Sequence, residues 1–342
     1  MAPYVAHFGH GGIHCVGIGG AASIENGLQA RFRVEQLSAA GLIEAVGAIP
    51  MHVRVYAWLK AQLPRVDGVF VVDSPELGIR LGRQARRLGI PVAYLSPPQA
   101  WAWRPWRSRA LTEMAWVGCL FEFESRWYRQ RGVSAVHVGH PLAGGPRLPP
   151  GDPQEIALLP GSRSAYVERL LPIMLQAASR LGAADARLRF HLGLAHAGLG
   201  PLVREMVDQC PIRVTIHRGA EGALAASGLA VTGCGTATLQ GVLRGRPTIA
   251  LGQAHPLSAF LARRLVTTRF FSLPNLIAGR RLFPELIQAD CTPLGLAHEL
   301  NALFLRFEAA CDDCELVRDA VQVMDREVPD DALNALSSKF RH

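Results

Sequence analysis

The chain has 342 residues, 49% of them apolar and 19% charged, and a formal net charge of +8. That length favours two domains, each able to bury its own core, and that composition excludes an intrinsically disordered chain. The charge predicts anionic partners such as nucleic acid, acidic headgroups or phosphorylated small molecules, although a solvated arginine-rich surface accounts for most single arginines.

The opening run MAPYVAHFGHGG lacks a long apolar core, so no signal peptide is expected. VGIGG, Val16 to Gly20, is only a fragment of a dinucleotide-binding fingerprint. Gly41 to Leu63 mixes apolar residues with scattered charges, which suits a helix covering a sheet or one resting on a membrane. VFVVD (Val69 to Asp73) then reads as a strand, and ELGIRLGRQARRLG as a helix with apolar residues at helical spacing. PVAYLS, VGCLFEF and AVHVGH continue as strands, with ESRWYRQRG helical between the last two. The Pro- and Gly-rich run Pro141 to Pro153 is the best boundary in the chain. Alternation resumes with IALLP, a long helix, RLRFHLGLA, IRVTIH, LAVTG and PTIALG, and turns mainly helical from about Phe283. Such alternation predicts an α/β chain of two doubly wound Rossmann-like domains, residues 1–148 and 149–342, the second with a helical tail. Gly222 to Leu243 is uncharged and long enough to span a bilayer, but its Gly, Thr and Ala read better as strand, turn and helix. No transmembrane segment is expected.

Seven cysteines, an odd and scattered set, point to a reducing compartment. Cys311 and Cys314 form a CxxC with no second pair nearby, so plain helix cysteines are expected there and no metal.

Two turns could hold phosphate. In IALLPGSRSAYVERLLP, Ile156 to Pro172, a strand breaks at Gly161-Ser162-Arg163 and a helix follows. A helix start carries unpaired N–H groups and partial positive charge. Gly161 would let backbone approach a ligand, Arg163 would fork onto a phosphate, and Ser164 is a candidate N-cap. Pro172 should kink this helix or delay its regular part. Taken alone, this stretch reads better as an ordinary strand–helix turn with an exposed arginine. The second turn, Gly233-Cys234-Gly235-Thr236, sits between another strand and helix. Two such turns in one domain point to a nucleotide-diphosphate site, and neither is a P-loop, since no Gly-Lys-Ser/Thr follows.

LLPGSR (Leu158 to Arg163), GTATL (Gly235 to Leu239), FFSLPNLIAG (Phe270 to Gly279), SPPQAWAWR (Ser96 to Arg104), VGHPLA (Val138 to Ala143) and PELIQADCTP (Pro284 to Pro293) occur in that set with an order and spacing that resemble the lipid A disaccharide synthases. The resemblance implies a GT-B glycosyltransferase that needs no cofactor or metal. It would join UDP-diacylglucosamine to diacylglucosamine 1-phosphate by an inverting displacement and release UDP. Arg163 with Gly161 and Ser162 would hold the diphosphate, and Gly235 and Thr236 would add helix-start donors. Asn275 matches a family position important for activity, and Asp73 matches the first acid of an Asp-x-Pro-Asp-Phe-Asn phrase, making it the candidate base. A strand-end acid capping the next helix is the plain reading of Asp73. His140 and Gln99 are candidate substrate contacts, with a structural turn histidine the alternative for His140. Trp101, Trp103 and Trp106 lie among Arg104, Arg107 and Arg109 and would stack on sugar or dip into headgroups, or, for Trp101 and Trp103, belong to the core. The implied location is the cytoplasmic face of the inner membrane, peripherally bound, with a homodimer as a further candidate assembly and no nucleic-acid partner.

Several positions depart from the family pattern. The family opens with a strand and a Gly-Glu-x-Ser-Gly-Asp loop that this sequence does not contain. Glu76-Leu77-Gly78 replaces Asp-Phe-Asn, Tyr166 and Gly144 stand where acids are expected, Gln240 replaces a Glu, and Gly252-Gln253 replaces Tyr-Arg. Three readings follow: a start codon further upstream, a transferase with another acceptor, or a homologue that binds nucleotide-sugar or lipid without turnover. A nucleic-acid-binding module rests on net charge alone, because no recognised motif supports it.

Overall fold

The computed structural model describes residues 2–34, 49–253, 266–321 and 328–337. The chain forms two compact units, Met1–His140 with Met324–His342, and Pro141–Val323. The expected boundary at 148/149 therefore differs from the observed one, and the end of the chain belongs with the first unit.

In the first unit the elements run α1 (Ala2–His10), β1 (Val16–Gly19), α2 (Ala21–Glu25), β2 (Gln29–Arg33), α3 (Ile49–Gln62), β3 (Val69–Val72), α4 (Pro75–Arg87), β4 (Val92–Leu95), β5 (Trp116–Cys119), α5 (Glu122–Arg129) and β6 (Ala135–His137). β3 to β6 form a parallel sheet in chain order, while β1 and β2 form a separate parallel pair. Continuous apolar runs are what such strands need, because helices cover both faces. Val69 and Val71 face a core with Leu63, Leu81 and Tyr94, whereas Phe70 and Val72 face Tyr4 and Phe8 of α1. The VGCLFEF strand stops at Cys119, because Glu122 and Glu124 supply the acidic first turn of α5 instead. The part of the Gly41 to Leu63 reading that covers residues 41–48 lies outside the described residues. From Ile49 it is α3, which packs against α4.

The second unit contains β7 (Glu155–Leu159), α6 (Ser164–Ala184), β8 (Arg189–Leu194), α7 (Gly200–Asp208), β9 (Val214–Arg218), α8 (Gly219–Ala225), β10 (Leu229–Gly233), α9 (Thr236–Leu243), β11 (Thr248–Gly252), α10 (Leu273–Ala278), β12 (Glu285–Ile287), α11 (Pro293–Leu305) and α12 (Phe307–Ala320). Its parallel sheet has the order β12-β11-β10-β7-β8-β9. Gly222 to Leu243 is helix, strand, turn and helix, and among the described residues no helix is long and apolar enough to cross a membrane. Leu170, Leu171 and Met174 of α6, with Leu296 and Leu300 of α11, bury one face against Ile156, Leu158 and Val231. Ala223 and Leu224 of α8 cover Ala157, Leu159 and Ala230 on the other. α6 runs through Pro172 without a break and starts before it, so the proline costs a hydrogen bond but does not delay the helix. Its N-cap is Arg163, in extended backbone; Ser164 is already the first helical residue.

After α12 comes α13 (Val328–Ser337), whose Ala332, Leu333 and Leu336 join Tyr4, Phe8 and Phe70 in the first unit's core. This apolar stripe is why the tail leaves the second unit. Cys311 and Cys314 lie on α12, Cys314 fully buried, and the described residues hold no cluster suited to a metal.

The boundary run is sealed onto the second unit. Buried Arg246 donates from Nε to the Leu224 carbonyl at 3.0 Å and from Nη1 to that of Pro149 at 2.9 Å. A Cβ at Gly228 would stand 2.3 Å from the Asp152 carbonyl oxygen, so the two backbones touch as β7 begins. Gly228→Ala is expected to cost roughly 1–3 kcal/mol, the usual range for overpacking. Urea unfolding measures it; an unchanged midpoint would mean these backbones part freely.

Candidate functional site

In the second unit, chain order along the sheet reverses between β7 and β10. From β7 the chain proceeds outward to β8 and β9; from β10 it proceeds the other way to β11 and β12. A crevice at the carboxyl ends of the strands opens at such a reversal, and ligands of doubly wound sheets bind there. Both glycine turns sit at this point because β7 and β10 are hydrogen-bonded neighbours, Leu159 opposite Thr232. Gly233 lies so close that a Cβ would meet the Pro160 carbonyl oxygen at 3.4 Å.

The turns differ in detail. Gly161 has φ +118, a conformation that favours glycine, and leads through exposed Ser162 and Arg163 into α6. Gly235, with φ +153, is the N-cap of α9, and its carbonyl accepts the Thr238 hydroxyl at 2.7 Å. Gly235 and Thr236 are exposed. Neither α6 nor α9 has an acid in its first turn, so both positive helix ends remain uncompensated. Tyr166, where an acid was expected, contributes to that.

His196, just past β8, donates from Nε2 to the Ser162 carbonyl at 3.1 Å and ties the first turn to its neighbour. Beside it lies a cavity of about 600 Å³ lined by His196, Arg204, His217, Arg218 and Gly219 at the ends of β8 and β9. That volume is typical of small-molecule sites, and its arginines suit an anionic guest. Sequence reasoning missed these residues; the available signal was that His196, His217, Arg218 and Gly219 stand at or just past the carboxyl ends of two strands, while Arg204 comes from α7.

Two expectations change here. Asn275 is fully buried, and its amide is saturated: Nδ2 donates to the Phe283 carbonyl (2.9 Å) and Glu285 (2.8 Å), and Oδ1 accepts from Leu282 (2.8 Å) and Phe283 (3.0 Å). It therefore anchors α10 to β12 and has no free group for a sugar or phosphate. Glu285 completes the lock by accepting from the backbone N–H groups of Phe271 and Ser272. At Gln240, an acid is still adjacent: the amide donates to Glu221 of α8 at 2.8 Å, and Arg244 grips the same carboxylate.

In the first unit the carboxyl ends of β3 and β4 carry unusual backbone. Asp73 (φ 53), Ser74 (φ 55) and Ser96 (φ 54) all lie in the left-handed region. Such residues cost about 1–3 kcal/mol each and cluster at functional sites. Asp73 is held there by its N–H to the Leu95 carbonyl (3.0 Å) and by its own carbonyl, which accepts the Tyr94 hydroxyl (2.7 Å). Its side chain is exposed and does not cap α4, whose N-cap is Ser74 without a side-chain bond.

Gln99 is exposed on the next loop. That loop is pinned by buried Trp101, whose indole donates to Glu124 at 2.8 Å, while the Tyr128 hydroxyl donates to the Pro98 carbonyl. Trp101 is a core residue, but Trp103 is not: it is 37% exposed, with the Arg104 guanidinium 4.3 Å from its ring. Trp106 is 57% exposed. Glu76 pairs with Arg104 and Arg107 beside them. His140 is buried and stacked on Phe121, ring centroids 5.2 Å apart, and burial lowers its pKa to about 4. It is a neutral structural ring at pH 7, which removes it from the set of exposed substrate contacts.

A family model described as lipid-A-disaccharide synthetase matches residues 6–335. The lipid-A-disaccharide synthase of Anaeromyxobacter dehalogenans is 35% identical over 313 residues, covering 85% of this chain and 80% of the relative. That of Pseudomonas aeruginosa is 35% identical over 311 residues, covering 86% and 82%. Among solved structures, the calicheamicin glycosyltransferase CalG4 is similar with a TM-score of 0.62 at 13% identity, covering 100% of this chain and 95% of that one. A UDP-GlcNAc 2-epimerase from Neisseria meningitidis bound to UDP-GlcNAc gives 0.53 at 11%, covering 92% and 85%. These structural likenesses show the fold, which is GT-B.

Burial raises the Glu124 pKa to about 7, against hydrogen bonds from Trp101, Phe121 and Leu120 that lower it. A raised native pKa means the folded chain holds its proton more tightly. The stability it contributes is full below about 4.5 and is lost as pH rises through 7. Wild type is expected to lose stability on the order of 3 kcal/mol between those limits through this group. Glu124→Gln should lack that slope, read as the difference between the two urea midpoints across pH 5 to ~8.5. His140, which titrates in the opposite sense, cancels in the difference. Parallel pH profiles would show that Glu124 is already ionised in the fold.

Proposed function

Since this chain belongs to the lipid-A-disaccharide synthetase family, we propose that it moves diacylglucosamine from UDP-diacylglucosamine to diacylglucosamine 1-phosphate and releases UDP. The chain is a glycosyltransferase of lipid A biosynthesis. The observation that carries the finer reading is the pair of glycine turns at the strand-order reversal, with two uncompensated helix starts and the free guanidinium of Arg163.

The diphosphate lies against the N–H groups that follow Gly161 and Gly235, and Arg163 forks onto it. The nucleoside occupies the arginine-lined cavity beyond β8 and β9. As the sugar–phosphate bond breaks, negative charge grows on the departing UDP, and donors already in place stabilise it without reorganising. On the acceptor side, Asp73 takes the proton from the attacking hydroxyl, which reaches the sugar carbon as UDP leaves from the opposite face, so the anomeric configuration inverts. Strained backbone at Asp73 and Ser74 supports this role, because it fixes a carboxylate that caps nothing. Asn275 and Glu285 act at a distance by holding the SLPN segment.

Both substrates carry acyl chains, so we place the enzyme peripherally at the cytoplasmic, anionic face of the inner membrane. Exposed Trp103 and Trp106 beside Arg104 and Arg107 support that: the rings suit the interfacial layer and the guanidinium groups its phosphates.

Arg163→Ala is expected to weaken use of the UDP-sugar about 10- to 100-fold, since a charge-assisted hydrogen bond is worth about 1.5–3 kcal/mol. Asp73→Asn should abolish transfer while leaving UDP binding intact, as measured by UDP release with both lipids and by calorimetry. Transfer that survives in Asp73→Asn would move the base elsewhere. UDP binding without transfer in the unmutated chain would make it a binding homologue. The membrane assignment is tested by co-sedimentation with phosphatidylglycerol vesicles: binding at low salt should fall in Trp103→Ala/Trp106→Ala, and absence of binding in wild type removes this part of the reading.

A further inference from the structure

On the second unit's sheet, titratable side chains from three strands meet in a row. Glu155 opens β7, His191 lies in β8 and His217 in β9. His191 Nε2 is 2.6 Å from a Glu155 carboxylate oxygen, and His191 Nδ1 is 2.9 Å from His217 Nε2. The row ends at the cavity of about 600 Å³, which His217 lines. None of the three residues lies in the segments that resemble the family.

Chemistry dictates the order of these bonds. A carboxylate only accepts, so His191 carries a proton on Nε2. In neutral His191 the other nitrogen is then a lone pair, and His217 must donate to it from Nε2. That leaves His217 Nδ1 as a lone pair. This atom has no hydrogen bond among the described residues. A Cβ at Gly222 would lie 3.6 Å from it, so the glycine leaves that edge of the ring uncovered. Burial and the neighbouring His191 lower the His217 pKa, which favours the neutral row at pH 7.

One added proton reverses the row. It binds His217 Nδ1, while the proton on His217 Nε2 crosses to His191 Nδ1. The His191 imidazolium then donates from both nitrogens, to Glu155 and to His217. The positive charge rests beside a carboxylate, and His217 Nδ1 has become a donor. The other charged groups around the row are already engaged or favour an anion. Glu221 of α8 is held by Arg244 and Gln240. Arg189, on the same face, donates to the Ala186 and Leu188 carbonyls, and Arg213 just before β9 is exposed. The remaining titratable or charged lining residues are His196, Arg204 and Arg218.

We propose that Glu155, His191 and His217 form a proton relay, through which the cavity binds a nucleoside diphosphate together with one proton from solvent. His217 is the binding residue and gives Nδ1–H to a phosphate oxygen of the guest. His191 and Glu155 are positioning residues that hold the charge. The inference rests on the proposed UDP-sugar site and adds a second role there: the stored proton offsets negative charge on departing UDP. An anion raises the proton affinity of the row, so binding strengthens as pH falls. A nucleobase N–H donating to the Nδ1 lone pair would produce the opposite slope.

The test is calorimetry of the intact chain with UDP-N-acetylglucosamine, whose diphosphate has no ionisation near neutrality. Titrations in buffers of different ionisation enthalpy, between about pH 6 and 8, count the protons exchanged. Net uptake is expected, with affinity rising by up to about tenfold per pH unit toward acid. Glu155→Gln and His217→Gln should flatten that profile, whereas a merely structural role would lower affinity equally at every pH. Uptake that persists in His217→Gln would assign the proton to His196 and overturn the relay. The unmutated chain decides the sign even where a variant fails to fold. Binding without uptake, or affinity that falls toward acid, overturns this inference and leaves the transferase reading standing. No heat from either UDP-N-acetylglucosamine or UDP at any pH overturns both.

Discussion

Parallel hydrogen bonding between β7 and β10 is the constraint on which the second unit's chemistry depends. These strands are far apart in the chain, and each ends in a glycine turn before a helix. Pairing them at Leu159 and Thr232 aims two helix starts at one crevice. One helix terminus is a weak anion site; two, with no acid in either first turn, add their partial charges where a diphosphate would sit. The His196 contact to Ser162 then keeps the first turn from drifting.

The same unit spends its buried polar groups on fixing backbone, not on binding. Asn275 and Glu285 satisfy the irregular chain around α10, and Arg246 satisfies the boundary run. A buried donor or acceptor without a partner costs about 1–3 kcal/mol, so such side chains are as constrained as ligand contacts would be. This explains how a residue in a family phrase can matter for activity without touching substrate. The Gln240–Glu221 contact makes a related point: a carboxylate absent at one position is supplied by the neighbouring helix.

In the first unit the tension is in the main chain. Three non-glycine residues at the ends of two adjacent strands are held left-handed, anchored by Tyr94 and by ladder bonds. The rigid core beneath them, with Trp101 and Tyr128 clamped through Glu124 and Pro98, is what makes that geometry sustainable. Further along the same layer, β1 and β3 share no ladder among the described residues, and both line one cavity.

Alternation of apolar runs with helical spacing was enough to place β3 to β11, the doubly wound class, and both glycine turns, because period and turn chemistry are local properties of the chain; β12 was not placed, since its three residues fall in a stretch that reads as mainly helical. The placement of Gly161, Arg163 and Gly235 at strand ends was legible for the same reason, whereas Asp73 became a candidate only through the family resemblance. The helix α1, the exit of α13 to the first unit, and the cavity beside β3 were not legible, since each depends on which surfaces meet after folding. Burial is likewise non-local. Only the tertiary structure decided that Asn275 and His140 are enclosed, that Trp103 is exposed, and that His196 and Arg218 share a cavity, because sequence spacing does not encode who covers whom.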